Sequence, residues 1–339
     1  MATSPKAVKV KSFSSRDPQK GPPGMTLNDR AFRLVERLLD RAAEVNVFAH
    51  PIEKGGRFID LGIQSRGGLG AGLDLARICL ADLAEVSLVP GEVGGRACPY
   101  VQVATDHPVE ACLASQYAGW AVSEGKYFAM GSGPMRAAAG KESLFDQIGY
   151  RETPHTVVGV LESRKQPGTE VFAQIASACK VAPAAVTLLV APTASLAGTI
   201  QVVARSVETV LHKLHSLHFD VSRVHSAFGS APLPPVAKND LAAIGRTNDA
   251  ILYGARVILF VDGDDDSLQS VGPRVPSSSS KDHGEPFAQI FARYNNDFYA
   301  VDPHLFSPAE VVFHNIKTGN AFAFGAVSHE VMTRSFFNA

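Results

Sequence analysis

Residues 186–190, Val-Thr-Leu-Leu-Val, read as a strand, and it feeds a long helical pattern that opens at Ser195 and runs to His215. In that pattern Ile200, Val203, Val207, Val210, Leu211 and Leu214 recur at helical spacing. Such a stripe is stable only against a core, so strand and helix together demand a sheet with helices laid on it. The same two signals alternate along the chain. Strands are expected at Arg57–Ile63, Val86–Val89, Tyr100–Ala104, Thr156–Leu161 and Arg256–Val261, with a last short one at Val311–Phe313. Thr26-Leu-Asn-Asp29 reads as a capping box that opens a helix through about Ala43. Further helices are expected near the Gly67–Gly72 run through Leu83, at Pro108–Val122, Gly168–Cys179, Lys238–Ile251 and Glu285–Tyr294. Strands and helices mix without a strict strand–helix–strand repeat. The expected fold is α/β (α+β mixed), with two α/β lobes and a cleft between them, not a Rossmann fold or a TIM barrel.

A chain of 339 residues exceeds the usual size of one core. We expect a disordered Lys/Ser/Pro-rich tail over 1–24, a first lobe over 25–152 and a second over 153–339, with an approximate boundary and crossovers of the chain between the lobes. Charged residues are 19% and apolar residues 45% of the chain, a balance that suggests some surface is covered by self-association. A net charge of −1 argues against a general nucleic-acid binder. Cys79, Cys98, Cys112 and Cys179 are widely spaced, without zinc-site spacing, and read as small buried hydrophobes in a reducing compartment. No apolar run is long enough to span a membrane and no signal-peptide core is present, so the expected location is cytoplasmic.

Several motifs carry chemistry. Arg205 and Glu208 are three positions apart and share a helix face beside the apolar stripe. Such a pair is either an ordinary solvated pair or a proton-handling site in a cleft. Gly131-Ser132-Gly133-Pro134 followed by Arg136 reads as a capped turn or as an anion site, because two glycines allow close approach and a helix start exposes N–H groups. The Gly67–Gly72 run lies between a strand and a helix but matches neither phosphate-loop template. It is a tight turn or a backbone ligand site, and it leaves open an ATP-dependent small-molecule kinase. Glu208, His212 and His215 share a face that a metal would suit, yet no fourth ligand suggests itself. The expectation is no metal.

Four separated segments, in order, resemble one family. They are residues 193–215, Ser115-Gln-Tyr-Ala-Gly-Trp120, Tyr127-Phe-Ala-Met-Gly-Ser-Gly-Pro-Met-Arg136, and His283-Gly-Glu-Pro-Phe287 continuing to Asp302-Pro-His-Leu-Phe-Ser-Pro308. From about Leu27 onward the chain is similar to methenyltetrahydromethanopterin cyclohydrolases. The resemblance implies two α/β lobes around a pterin cleft, a homotrimer, and reversible hydrolysis of N5,N10-methenyl-tetrahydromethanopterin to the N5-formyl form in one-carbon metabolism, as in methylotrophy. It implies no cofactor. It makes Glu208 the acid–base group and Arg205 its neighbour. Gln116, Gly131, Ser132, Gly133, Arg136, Thr193, Ser195, His283 and Glu285 fall in the matching segments as substrate-binding candidates. Tyr117 departs from the basic residue expected there in many archaeal members. A non-catalytic pterin-binding protein is the other alternative.

Overall fold

The computed structural model describes residues 25–337; the expected tail over 1–24 lies outside the described residues. The strands, in chain order, are β1 (Phe48–Pro51), β2 (Arg57–Asp60), β3 (Glu85–Val89), β4 (Glu92–Val93), β5 (Arg96–Ala97), β6 (Tyr100–Thr105), β7 (Trp120–Glu124), β8 (Tyr127–Ser132), β9 (Val157–Glu162), β10 (Val186–Ala191), β11 (Val224–Pro232), β12 (Arg256–Val261), β13 (Glu310–Asn315) and β14 (Ala321–Gly325). The helices are α1 (Leu27–Asp40), α2 (Ala42–Val45), α3 (Leu69–Cys79), α4 (Met135–Ala139), α5 (Leu144–Ile148), α6 (Thr169–Cys179), α7 (Leu196–Val203), α8 (Ser206–Ser216), α9 (Asp240–Leu252), α10 (Asp265–Val271), α11 (Phe287–Arg293) and α12 (His329–Phe337).

Two six-stranded sheets organise these elements, in the orders β1-β2-β10-β9-β8-β7 and β14-β13-β12-β11-β6-β3. In the first sheet β2, β10 and β9 run parallel. Parallel neighbours need crossover connections and bury both faces, which is why β9 and β10 are almost wholly apolar and buried. One face packs Ile59, Val160 and Leu189 against α1 and α3; the other packs Phe58, Leu161 and Leu188 against Phe172 and Ile175 of α6. The second sheet is mainly antiparallel and packs its Val103, Leu259 and Phe313 face against Val207, Leu211 and Leu214 of α8. The chain passes between the sheets repeatedly. The lobe expected over 25–152 therefore gives strands to both, as does the one expected over 153–339, and no single cut separates them.

The Thr26 capping box forms as expected: Asp29 N donates to Thr26 Oγ1 at 3.0 Å and Thr26 N to Asp29 Oδ2 at 3.2 Å. Other expectations are corrected. The helix expected over Pro108–Val122 is a π-helix, Val109–Gln116, and the chain then extends into β7. The acidic, then Ser-rich stretch 262–280, whose composition reads as a loop, contains α10, capped by Asp264, whose side chain accepts from Ser267 N, and two 3-10 turns. The strand near Val311 is followed by another, β14, and by α12. The single helix expected from Ser195 to His215 is two helices, α7 and α8, broken at Ala204–Arg205. All four cysteines are buried free thiols. Among the described residues, no helix is long and apolar enough to cross a membrane.

Candidate active site

The helix break makes the site. Ser195 starts α7: its Oγ accepts from Gly198 N at 3.0 Å. Gly198 must be glycine, because a Cβ there would lie 2.0 Å from the Pro192 carbonyl oxygen. α7 carries Ala197 into the first sheet's core and Ile200 and Val203 into the second's. Arg205 N bonds back only to Val202 O, and Thr209 N then takes Arg205 O at 2.9 Å to begin α8. Gln116, the last residue of the π-helix, donates from Nε2 to the Ala204 carbonyl at 3.1 Å and supports the break from the side. Arg205 thus becomes the residue before the first turn of α8 and Glu208 lies within that turn, where exposed N–H groups favour negative charge.

Arg205 is 6% exposed and Glu208 4%. The guanidinium is held on several sides: Nη1 donates to the Gln116 carbonyl at 2.7 Å, and Nη2 donates to Ser132 Oγ and Glu162 Oε1, each at 3.1 Å. Glu208 Oε2 stands farther off, 3.9 Å from Nη1. Among the described residues, the Glu208 carboxylate accepts no hydrogen bond from the protein. Burial pushes it up to about 7, against the pull of Arg205 and Arg136 and with a push from Glu162. The result is a carboxyl that can exchange a proton near neutral pH.

Glu162, which pattern reading missed, ends β9; Ala191 lies opposite it on β10 and Met130 on β8. The visible signal was a carboxylate placed where an apolar parallel strand ends, the position where open α/β sheets gather ligands. Asp60 ends β2 on the same side. Burial raises its pKa, but four backbone N–H bonds from Gly62, Ile63, Gln64 and Ser65, at 2.6–2.9 Å, bring it below the usual carboxylate range. This fixes the loop after β2 against Ser195, close enough that a Cβ at Gly62 would lie 2.6 Å from Ser195 Cβ.

Tyr117 lines the same place. Its ring stacks on His212, one turn beyond Glu208, at 4.5 Å between centroids. Arg136 lies under it at 4.9 Å. Arg136 is not a free anion-binding donor: it is buried, its Nε bonds Glu142 at 2.9 Å and its Nη1 bonds the Leu113 and Ser115 carbonyls. Its contribution to Glu208 is charge at a distance. Gly131 and Gly133 have structural reasons: a Cβ on Gly131 would lie 2.9 Å from Trp120 O, and Gly133 has φ +87°. Thr193 and Ser195 sit just past the end of β10, where the Thr193 carbonyl accepts from Thr199 Oγ1 at 3.1 Å.

His283 and Glu285 lie in a different cluster. Tyr253 OH donates to the Glu285 carbonyl at 2.6 Å, the His283 ring tilts against Tyr253 at 4.8 Å, and Glu285 pairs with Arg293. Among the described residues, no hydrogen bond or ion pair joins them to Arg205 or Glu208. A separate cavity of about 540 Å³ between α9, α11 and α12 is lined by Lys238, Arg246 and Arg334, and none of the expected site residues lines it.

The Gly67–Gly72 run also has a packing explanation. Gly67 has φ +61° and a Cβ there would meet Leu61 O at 2.6 Å, while one on Gly72 would meet Ile200 Cδ1 at 2.7 Å. The run seats α3 on α7. Among the described residues, no three His, Cys, Asp or Glu side chains converge as a metal site.

A family model described as Cyclohydrolase (MCH) matches residues 26–336. The chain is 53% identical over 287 residues to the methenyltetrahydromethanopterin cyclohydrolase of Rhodopirellula baltica, covering 83% of this chain and 86% of that one. It is 45% identical over 315 residues to a Methylobacterium protein of the same name, covering 92% and 97%. It is 40% identical over 314 residues to that of Methanococcoides burtonii, covering 92% and 98%.

Proposed function

Because this chain belongs to the methenyltetrahydromethanopterin cyclohydrolase family and is a hydrolase of a cyclic C–N bond, we propose that it interconverts N5,N10-methenyl- and N5-formyl-tetrahydromethanopterin with Glu208 as its acid–base group. The observation that supports this reading is a buried carboxylate raised to about 7, beside an arginine that does not close on it. The substrate carries its own positive charge on an N–CH–N unit, so water can attack that carbon without a metal or a redox cofactor to activate it. As water adds, the Glu208 carboxylate takes one of its protons. The addition product then opens: the C–N10 bond breaks, Glu208 returns its proton to N10, and the hydroxyl becomes the formyl carbonyl as its proton leaves to solvent. One water is consumed and one proton released. Arg205 holds Glu208 within a fixed field and, through Gln116 and Ser132, ties the start of α8 to the π-helix and to the end of β8 in the first sheet. Tyr117, Gln116 and Ser132 stand around the pair as candidates for substrate contact, and Thr193 and Ser195, past the end of β10, are further candidates. A one-carbon pathway in the cytoplasm is the setting this chemistry suits.

We also propose a homotrimer, built on the uncovered face of the second sheet. The strand register aligns Ala104, Phe228, Ile258, Val312 and Ala323 in one row across five strands, none of them buried. An apolar row of this length on an open sheet face supports self-association there.

The decisive experiment follows the loss of methenyl-tetrahydromethanopterin absorbance with and without enzyme, with the methenyl-folate analogue as a control. Catalysed loss is expected. Binding without hydrolysis would instead mean a non-catalytic pterin carrier, and stabilisation by ATP with magnesium would revive the kinase alternative.

A further inference from the structure

Arg205 stands between two carboxylates and leans toward one. Its Nη2 reaches Glu162 Oε1 at 3.1 Å, whereas Nη1 is 3.9 Å from Glu208 Oε2. A guanidinium has five N–H groups in a rigid fork. Nη2 has two of them, and its two acceptors, Glu162 and Ser132 Oγ, both differ from Glu208. Nη1 directs its hydrogen bond to the Gln116 carbonyl. Glu162 has neighbouring strands on both sides, so its backbone is fixed and cannot follow a swinging guanidinium. We propose that Glu162 is a positioning residue that holds the Arg205 guanidinium off Glu208, leaving that carboxylate free to take the proton of the attacking water. The proposal rests on Glu208 being the acid–base group.

The reason is competition for one cation. An arginine offered a single carboxylate closes to a bidentate pair at about 2.8 Å, and such a pair strongly favours the ionised acid. A carboxylate locked in that way is a poor base. With Glu162 on the opposite side, the charge is divided.

The other groups around the pair do not titrate with it. Cys112 on the π-helix is raised well above its ordinary value by burial and then by the Glu208 charge. Tyr117 is pushed up to about 12 by burial and then by Glu208. Cys79 on α3, next to Arg205, is raised by burial. His212 on α8 is pushed down to about 4 by burial and the nearby His215 and Arg136, so it stays neutral. Arg136 on α4 is bound to Glu142. Glu162 and Arg205 are therefore the charged pair whose placement is at issue beside Glu208.

The test compares the pH dependence of kcat/KM for methenyl-pterin hydrolysis in wild type, Glu162→Gln, Glu162→Asp and Glu208→Gln, with thermal melts to establish folding. Glu162→Gln keeps an acceptor for Nη2 but removes the competing charge. Its acid limb is expected to move down by about one pH unit, with kcat lower by about tenfold and KM little changed. Glu162→Asp, which draws the charge back by one methylene, is expected to shift the limb the same way by less, and it carries the test if the Gln variant does not fold. An unmoved limb in a folded Glu162 variant, or a loss confined to KM, overturns the proposal. Full turnover in Glu208→Gln overturns the reading beneath it; an inactive Glu208→Gln with an unmoved limb in Glu162→Gln overturns this inference alone.

Discussion

Gln116 reaches across the helix break to Ala204: its side-chain amide donates to the Ala204 carbonyl at 3.1 Å, while its own backbone carbonyl receives Arg205 Nη1 at 2.7 Å. One residue therefore stabilises the break and orients the arginine that the break exposes. Gln116→Leu keeps the backbone acceptor but leaves the Ala204 carbonyl buried and unpaired. We expect a loss of about 1–3 kcal/mol in stability, read by chemical denaturation. Turnover should fall by roughly tenfold rather than vanish, since Arg205 keeps its other partners. Unchanged stability would show that water replaces the amide without cost.

Glu208 is a liability for folding at neutral pH. Burial raises its pKa from an ordinary 4.5 to about 7. The folded state therefore holds the proton more tightly than the unfolded state. The stability this gives is complete below pH 4.5 and is lost as pH rises through about 7. Glu208→Gln does not lose it. The variant should be more stable than wild type at pH 8, by on the order of 3 kcal/mol, with the gap closing toward pH 4.5. Its hydrolysis rate should fall at least ~10²-fold. Paired melts and assays at pH 8 and pH 5 check both halves.

In wild type the same carboxyl sets a pH profile. Acting as base in the hydration direction, Glu208 must be ionised, so kcat/KM should fall as pH drops through about 7. A profile flat from pH 5 to pH 8 would remove Glu208 as the base.

Arg205→Lys is not expected to restore function to Arg205→Ala. Lysine has three donors on one flexible point, whereas Arg205 meets Gln116 O, Ser132 Oγ and Glu162 Oε1 from two nitrogens of a planar fork. Truncating it also leaves Glu162 and Glu208 as facing carboxylates without their shared cation. Both variants should lose activity, and comparison with Glu208→Gln gives the coupling between the two positions.

The parts legible in sequence were those governed by local pattern. β10, β12, α6 and the Thr26 cap follow from runs, period and capping chemistry. The Arg205/Glu208 pair was visible as a spacing of three. The break between them was not, because Val-Val-Ala-Arg-Ser-Val-Glu contains neither glycine nor proline, and the interruption is stabilised from outside by Gln116. Glu162 was hidden for a related reason: its importance comes from the register of β9 between β8 and β10, which no local window encodes. Arg136 reads in sequence as part of an anion-binding turn, but its partner Glu142 lies beyond the motif that drew attention to it. β11 was missed because Ser226, Gly229 and Ser230 interrupt the apolar run, although its alternate residues Ala227 and Ala231 reach the core.

The open face of the second sheet supplies the last prediction. Ile258 is the centre of the row in which Phe228 lies opposite it on β11 and Val312 on β13. Its neighbours in sequence, Val257 and Leu259, point into the core, so the residue itself can change without disturbing packing. The row is bounded on β12 by Arg256, which pairs with Glu310 at 3.0 Å and marks a polar rim. An arginine at position 258 would place an unpaired charge in the middle of any interface formed there, a cost of several kcal/mol on association and little on the subunit. We expect wild type to sediment as a trimer at micromolar concentration and Ile258→Arg to sediment as a folded monomer. Since Arg205, Glu208, Glu162, Gln116 and Ser132 all come from one chain, that monomer should retain measurable hydrolysis. A wild-type monomer, or an Ile258→Arg variant that still assembles, would place self-association elsewhere or remove it.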